Sequence, residues 1–166
     1  MRLPLRFAAL TLLAAASFLG LLPAAAPLMA QDRPCRQALA LGLDVSGSVD
    51  GAEYRLQLDG LAAALTHPDV ADALLAAAGA PVSVAVYEWS GPTSQAVIVD
   101  WTEITDIAAL TGVTARLRDN KRTPADPSTA LGTAMVVGAR LLAQRAGCWK
   151  RTLDISGDGG SNTGPR

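Results

Sequence analysis

Aromatic side chains make up only 4% of this 166-residue chain, histidine occurs once, cysteine twice, and neither sign of charge dominates. Each scarcity excludes something. Lys and Arg total 14 against 15 Asp and Glu, so no excess of positive charge is on offer to a nucleic-acid backbone. The two cysteines form no C-x-x-C pair or zinc-ligand spacing, and neither G-x-G-x-x-G nor a phosphate-loop signature occurs. A single imidazole, His67, leaves a serine hydrolase short of a base near its nucleophile. What is plentiful is apolar: 50% of the residues, which rules out a disordered chain.

The apolar residues are unevenly spread. Arg2 and Arg6 precede an apolar run from Phe7 to Leu22, followed by Pro23, small residues and then polar Gln31 and Asp32. This is the layout of a secretory signal peptide. The run is shorter than the roughly 20 residues needed to cross a bilayer core, so export is the better reading than a retained anchor. Ala30 is suited to precede the cut, although Leu28 fills a position where a smaller residue is preferred. There is no cysteine for lipid attachment at the cut and no paired arginines. Residues 1–30 therefore read as a leader and residues 31–166 as one mildly acidic, Ala-rich domain, periplasmic or secreted, meeting a membrane only through its export signal.

Within that domain, Ala38–Val45 reads as a strand that opens through an acidic Ser/Gly turn into a helix carrying Tyr54, Leu58, Leu61, Ala62 and Leu65 on one face. His67-Pro68 ends the helix, and residues 70–78 add a further helical turn. Val82–Trp89 is a strand, joined by a short loop to an antiparallel neighbour over Gln95–Trp101. Asp106–Asp119 reads as a helix with Ile107, Leu110 and Leu117 on one side, and Asn120–Pro127 as a loop. Leu131, Ala134, Met135, Gly138, Leu141 and Leu142 form a helical stripe headed by Thr129, and Arg151–Ser156 is a last strand running into Gly157-Asp158-Gly159-Gly160. Strands feeding helices, without repeats or low-complexity linkers, imply a single α/β domain.

Asp44-Val45-Ser46-Gly47-Ser48 falls at the C-terminal end of the first strand, where ligand sites form in open α/β sheets. Asp44, Ser46 and Ser48 alternate, which puts three oxygens on one side of a tight loop. Such a set suits a hard divalent cation that keeps several waters. The structural alternative is that Ser48 or Asp50 caps the following helix. Thr129, within Ser128-Thr129-Ala130-Leu131-Gly132, and Asp158 reach the same sheet edge if the crossovers are right-handed. Three separate loops then converge with five oxygens.

These residues resemble a known family. DVSGS, STALG and SGDGG resemble the metal-ion-dependent adhesion site of von Willebrand factor type A domains. The stretches ALGLDVSGSVDGAEYRLQLDGLAAAL, VAVYEWSG and CWKRTLDISGDGGSN look closer still to a bacterial family of exported domains of that type, domain of unknown function 1194. The likeness covers nearly all of residues 35–162. It implies a Rossmann-like, mostly parallel sheet with one antiparallel edge strand and helices on both faces. It further implies Mg²⁺, or Mn²⁺ or Ca²⁺, held directly by Ser46, Ser48 and Thr129 and largely through water by Asp44 and Asp158. The role implied is binding rather than catalysis, with an Asp or Glu carboxylate of a protein partner taking the last coordination position. Domains of this type continue past the Asp158 loop with a further helix, one or two strands and a closing helix. The resemblance therefore implies a C-terminally truncated domain, roughly the first two thirds, with an uncovered edge on its last strand and poor stability.

Cys35 lies nine positions before Asp44 and Cys148 ten before Asp158. If those strands are parallel neighbours with both aspartates at one end, the cysteines meet at the other, and an exported chain is in the right compartment for a disulfide. Asp154 stands between Leu153 and Ile155; if buried it needs a partner, for which Arg122 and the Ser156 hydroxyl are candidates, and it reads either as support for the ion site or as an ordinary structural charge. Trp89 and Trp101 read as core caps rather than a binding face. The first expectation is thus a metal-dependent binding domain. The alternative is a hydrolase using Ser46 or a metal-activated water, and a third reading is a degenerate structural module.

Overall fold

The computed structural model describes residues 34–165; the expected leader, residues 1–30, lies outside them. Eight elements follow one another: β1 (Cys35–Asp44), α1 (Gly51–Leu65), α2 (Pro68–Leu75), β2 (Val82–Trp89), β3 (Gln95–Ile104), α3 (Ile107–Asp119), α4 (Leu131–Ala143) and β4 (Cys148–Ser156). The sheet order is β3-β2-β1-β4. β1 pairs in parallel with both β2 and β4, and β3 is the antiparallel edge strand. The expected α/β architecture is therefore present.

Strand position follows from composition. Every residue of β2 is buried, as befits an inner strand covered on both faces. Alternate residues of β2 divide between two cores. Val82, Val84 and Val86 face α1, α2 and α3, packing with Tyr54, Leu58, Leu74, Leu110 and Leu117. Tyr87 and Trp89 face the other way, toward Ala134 and Leu141 of α4. Trp89 thus caps a core, as its sequence context predicts, and Trp101 packs beside it under Arg145, whose guanidinium carbon lies 5.6 Å from the ring centroid. Close approach of α4 to the sheet depends on Gly138: a Cβ there would lie 2.4 Å from Leu153 Cδ1 and 2.9 Å from the Tyr87 hydroxyl. That hydroxyl donates to the Ala134 carbonyl at 2.8 Å, and burial pushes its pKa up to about 12.

The helix starts are set by side chains. Asp50, not Ser48, caps α1: Asp50 Oδ1 accepts from Ala52 N and Glu53 N while Glu53 Oε2 accepts from Asp50 N, a full capping box. Asp106 caps α3 by accepting from Ala109 N at 2.8 Å.

The boundaries depart from expectation in instructive ways. Pairing with β1 carries β4 back to Cys148, and pairing with β2 carries β3 on to Ile104. α2 begins at Pro68, whose missing N–H costs nothing in a first helical turn. On α3, Ile107 is exposed while Val113 and Thr114 join Leu110 and Leu117 on the buried face. The α4 stripe is only partly covered: Ala134, Gly138 and Leu141 are buried, whereas Leu131 and Met135 are exposed. Among the described residues no helix is long and apolar enough to cross a membrane.

At the N-terminal ends of their strands Cys35 and Cys148 stand in direct register and form the disulfide that the spacing predicts.

Candidate functional site

At the opposite end of the same strands, β1 delivers Asp44 into the interior with 1% of its surface exposed. Its Oδ1 accepts from Ser46 N at 2.8 Å, which tightens the turn, while its backbone carbonyl accepts from Gln57 Nε2 at 3.0 Å. The other carboxylate oxygen, Oδ2, is buried and takes no hydrogen bond among the described residues. A buried carboxylate oxygen without a donor is costly.

The neighbouring oxygens are joined in sequence. Ser46 Oγ lies 3.2 Å from Ser48 Oγ, and Ser48 Oγ donates to Asp158 Oδ1 at 2.9 Å. Asp44, Ser46, Ser48 and Asp158 are thereby gathered at one sheet edge. A cleft of about 290 Å³ opens there, lined by Asp44, Val49, Glu53, Gln57, Ser156, Gly157 and Asp158.

Thr129 is brought alongside by different means. The chain is pinned on either side of it: Gly47 N donates to the Pro127 carbonyl at 2.9 Å, and Ala130 N donates to the Ser90 carbonyl at 2.8 Å. The loop after β4 then returns to it: Thr129 N donates to Asn162 Oδ1, and Asn162 N donates to the Thr129 carbonyl, each at 2.9 Å. Asp126 holds the intervening turn by accepting from Ser128 N and Ser128 Oγ at 2.8 and 2.7 Å, bonds that keep its carboxyl below the usual pKa. No hydrogen bond links the Thr129 hydroxyl to the other four residues.

Of the two supporting residues expected from sequence, Asp154 and Arg122, the first lies away from the site. Asp154 is exposed, because its face of the edge strand β4 borders an open cleft beside Leu41, Leu43, Gln57 and Leu61. Its expected partners are engaged otherwise: Ser156 Oγ donates to Gln57 Oε1 at 2.7 Å, and Arg122 Nη2 reaches the carbonyls of Val45 and Ser46 at 3.4 and 3.3 Å. Arg122 therefore does stand behind the serine loop. His67 stands at the residue before α2, beyond the far end of α1 from Ser46, and its ring is 3.8 Å from Asp69 Oδ2. It is not placed to serve Ser46 as a base.

Sequence reasoning missed three contributors. Gln57 bridges Asp44 and Ser156 from an α1 position that reads as ordinary helix surface. Asn162 lies in a tail with no periodicity to interpret. Glu88, by contrast, left a signal: it shares parity with Val82, Val84 and Val86 and is accordingly buried. Its Oε1 accepts from the Tyr54 hydroxyl at 2.6 Å and from Asn120 Nδ2 at 2.9 Å. Burial raises the pKa of Glu88, against the lowering effects of Tyr54, Asn120 and the charge of Arg122.

No three or more His, Cys, Asp or Glu side chains cluster in a way that could hold a metal ion among the described residues. The five-oxygen set contains only two carboxylates, its remaining members being hydroxyls.

The family described as Protein of unknown function (DUF1194) matches residues 34–166. By fold the chain is similar to the pilus adhesin SpaC from Lactobacillus rhamnosus GG, at 13% identity and a TM-score of 0.53, over 79% of this chain and 16% of that one. It is also similar to the vWF domain of the type V pili tip protein Mfa5 from Porphyromonas gingivalis, at 16% identity and a TM-score of 0.52, over 77% of this chain and 39% of that one. The chain thus spans well under half the length of either, and at these identities the likeness establishes the fold alone. No curated protein matches.

Proposed function

The chain belongs to the family described as Protein of unknown function (DUF1194), and from that membership and its vWF-type fold we propose that it is an exported protein-binding domain whose contact is made through a divalent cation. Ser46, Ser48 and Thr129 would hold the ion, with Asp44 and Asp158 supporting it through water, and a partner Asp or Glu carboxylate would complete the shell. The ion's contribution is a concentrated positive charge, left under-neutralised because its ligands are mostly hydroxyls.

The observation that carries this reading is Asp44 Oδ2, a buried acceptor without a donor beside three further oxygens. The separation of 3.2 Å between Ser46 Oγ and Ser48 Oγ, the two proposed direct ligands, supports it as well. Neighbouring ligands of an octahedral ion bound at about 2.1 Å lie roughly 3 Å apart. Export is supported by the Cys35–Cys148 disulfide, which belongs in an oxidising compartment. The neighbours SpaC and Mfa5 are named as pilus proteins, which agrees with a role in surface adhesion.

Calorimetric titration of the full chain with Mg²⁺ and with Mn²⁺, before and after EDTA treatment, tests the reading. Binding is expected, and Ser46→Ala with Ser48→Ala should remove it while the circular dichroism spectrum is retained. Absence of binding to the folded chain, or binding unaffected by the double substitution, overturns it.

A further inference from the structure

Val45, the residue after Asp44, lines a second cleft, of about 190 Å³, whose remaining walls are Thr93 to Ala96 and Thr123 to Ala125 and whose one charged member is Glu88. Glu88 is 5% exposed. Its Oε1 is saturated by Tyr54 and Asn120, whereas Oε2 takes no hydrogen bond among the described residues. Arg122 acts on it through its charge but not in contact: its guanidinium is turned to the carbonyls of Val45 and Ser46, and among the described residues no ion pair within 4.0 Å includes Glu88. A carboxylate held this deep without a cation in contact costs stability, and a ligand that brings positive charge to it would offset that cost.

The shape of the cleft narrows the ligand. Its volume lies below the roughly 300–1,000 Å³ of sites for drug-sized molecules, so it accommodates the end of one side chain rather than a cofactor. Val45, Ala96, Pro124 and Ala125 offer aliphatic wall to an alkyl stem. The carboxylate offers one free oxygen, not two. A guanidinium gains most from a bidentate carboxylate, whereas an ammonium needs only a point acceptor.

We propose that this cleft binds a primary alkylammonium group, from a lysine side chain of a partner protein or a free aliphatic amine, with its head on Glu88 Oε2 and its stem against Val45 and Pro124.

The test uses the full chain in EDTA, so that its outcome does not depend on the metal reading. Amide chemical shifts of Thr93–Ala96, Thr123 and Ala125 are followed during titration with Nα-acetyl-lysine methylamide, butylammonium, and the uncharged Nα-acetyl-norleucine methylamide. Both amines should shift these amides, norleucine should not, and Glu88→Gln should weaken binding at least tenfold. Ala96→Met, which fills the wall without touching Tyr54 or Asn120, should abolish binding and serves should Glu88→Gln fail to fold. Tighter binding of blocked lysine than of butylammonium identifies a protein side chain as the source; equal binding identifies the free amine as sufficient. Norleucine binding as well as lysine, blocked arginine binding as well as lysine, or binding that persists in both variants overturns the proposal.

Discussion

Thr129 and Asn162 clasp each other twice, Thr129 N donating to Asn162 Oδ1 and Asn162 N to the Thr129 carbonyl, both at 2.9 Å. Ser161 Oγ and Thr163 N add longer bonds to the same carbonyl, at 3.2 and 3.3 Å. The loop after β4 therefore supplies more than Asp158: it also fixes where the head of α4 stands. Asn162→Ala leaves the part-buried Thr129 N–H without its acceptor, at a cost of about 1–3 kcal/mol. If Thr129 is an ion ligand, the loss of a residue that orients it should lower Mn²⁺ affinity about 10–100-fold. Urea denaturation reads the first effect and calorimetry the second. Lowered stability with unaltered Mn²⁺ affinity would separate the clasp from the ion site.

Gly91 performs a comparable task for the loop before Thr129. A Cβ at this position would lie 2.3 Å from Asp126 Cγ and 2.7 Å from Asp126 Cβ. Asp126 cannot swing away cheaply, since its Oδ1 holds both the backbone and the hydroxyl of Ser128. Gly91→Ala should therefore destabilise the fold by about 1–3 kcal/mol, the usual range for overpacking. Adding Asp126→Gly, which takes away both of these atoms, removes the clash. The pair should thus be non-additive in a double-mutant cycle, the double variant being more stable than the sum of the single effects predicts. Simple additivity would show that the loop has room to shift.

The parts of this molecule that were legible in the sequence are those written in short periods. Alternation in VSVAVYEW and the helical spacing of Tyr54, Leu58 and Leu65 locate β2 and α1, and matched offsets from Cys35 and Cys148 to their aspartates locate the disulfide. Asp44, Ser46 and Ser48 are legible because a loop at a strand end repeats its donors at alternate positions. What escapes is what tertiary contact decides. Asp154 and Glu88 are both acidic residues in apolar strands, yet one is exposed on the edge strand and the other buried under α1. Parity with Val82, Val84 and Val86 is a local signal for Glu88, whereas for Asp154 strand order decides. Gln57 and Asn162 act through partners 99 and 33 positions away, a distance over which no local pattern reports.

The disulfide offers a prediction that separates stability from binding. Cys35 and Cys148 are 113 positions apart, and a cross-link of that length is worth about 4–5 kcal/mol in the chain-entropy description. Cys35→Ala with Cys148→Ala should lower the urea midpoint accordingly. The bridge sits at the N-terminal ends of β1 and β4, a strand's length from Asp44. The fraction that remains folded should therefore bind Mn²⁺ as the parent does. A fall in affinity per folded molecule would show that the bridge reaches the far edge of the sheet.

Glu88 governs how stability should vary with acidity. Its pKa is raised from an ordinary 4.5, chiefly by burial, with hydrogen bonds from Tyr54 and Asn120 and the charge of Arg122 opposing. In the interval above 4.5, up to the raised native value, the folded chain holds this proton and the unfolded chain does not. Stability linked to the group is therefore full below 4.5 and is lost as pH rises through that interval. Gln at this position keeps the shape and cannot ionise. Relative to the Glu88→Gln variant, the parent should lose stability as pH is raised from 4 towards neutrality, and the two denaturation midpoints should draw apart in that direction. Because Tyr54 itself is pushed above its ordinary range by burial and by Glu88, it remains protonated throughout and adds no slope of its own. Midpoints that run parallel across the interval would mean that Glu88 ionises as readily in the fold as out of it, and that its carboxylate is better solvated than its place on β2 implies.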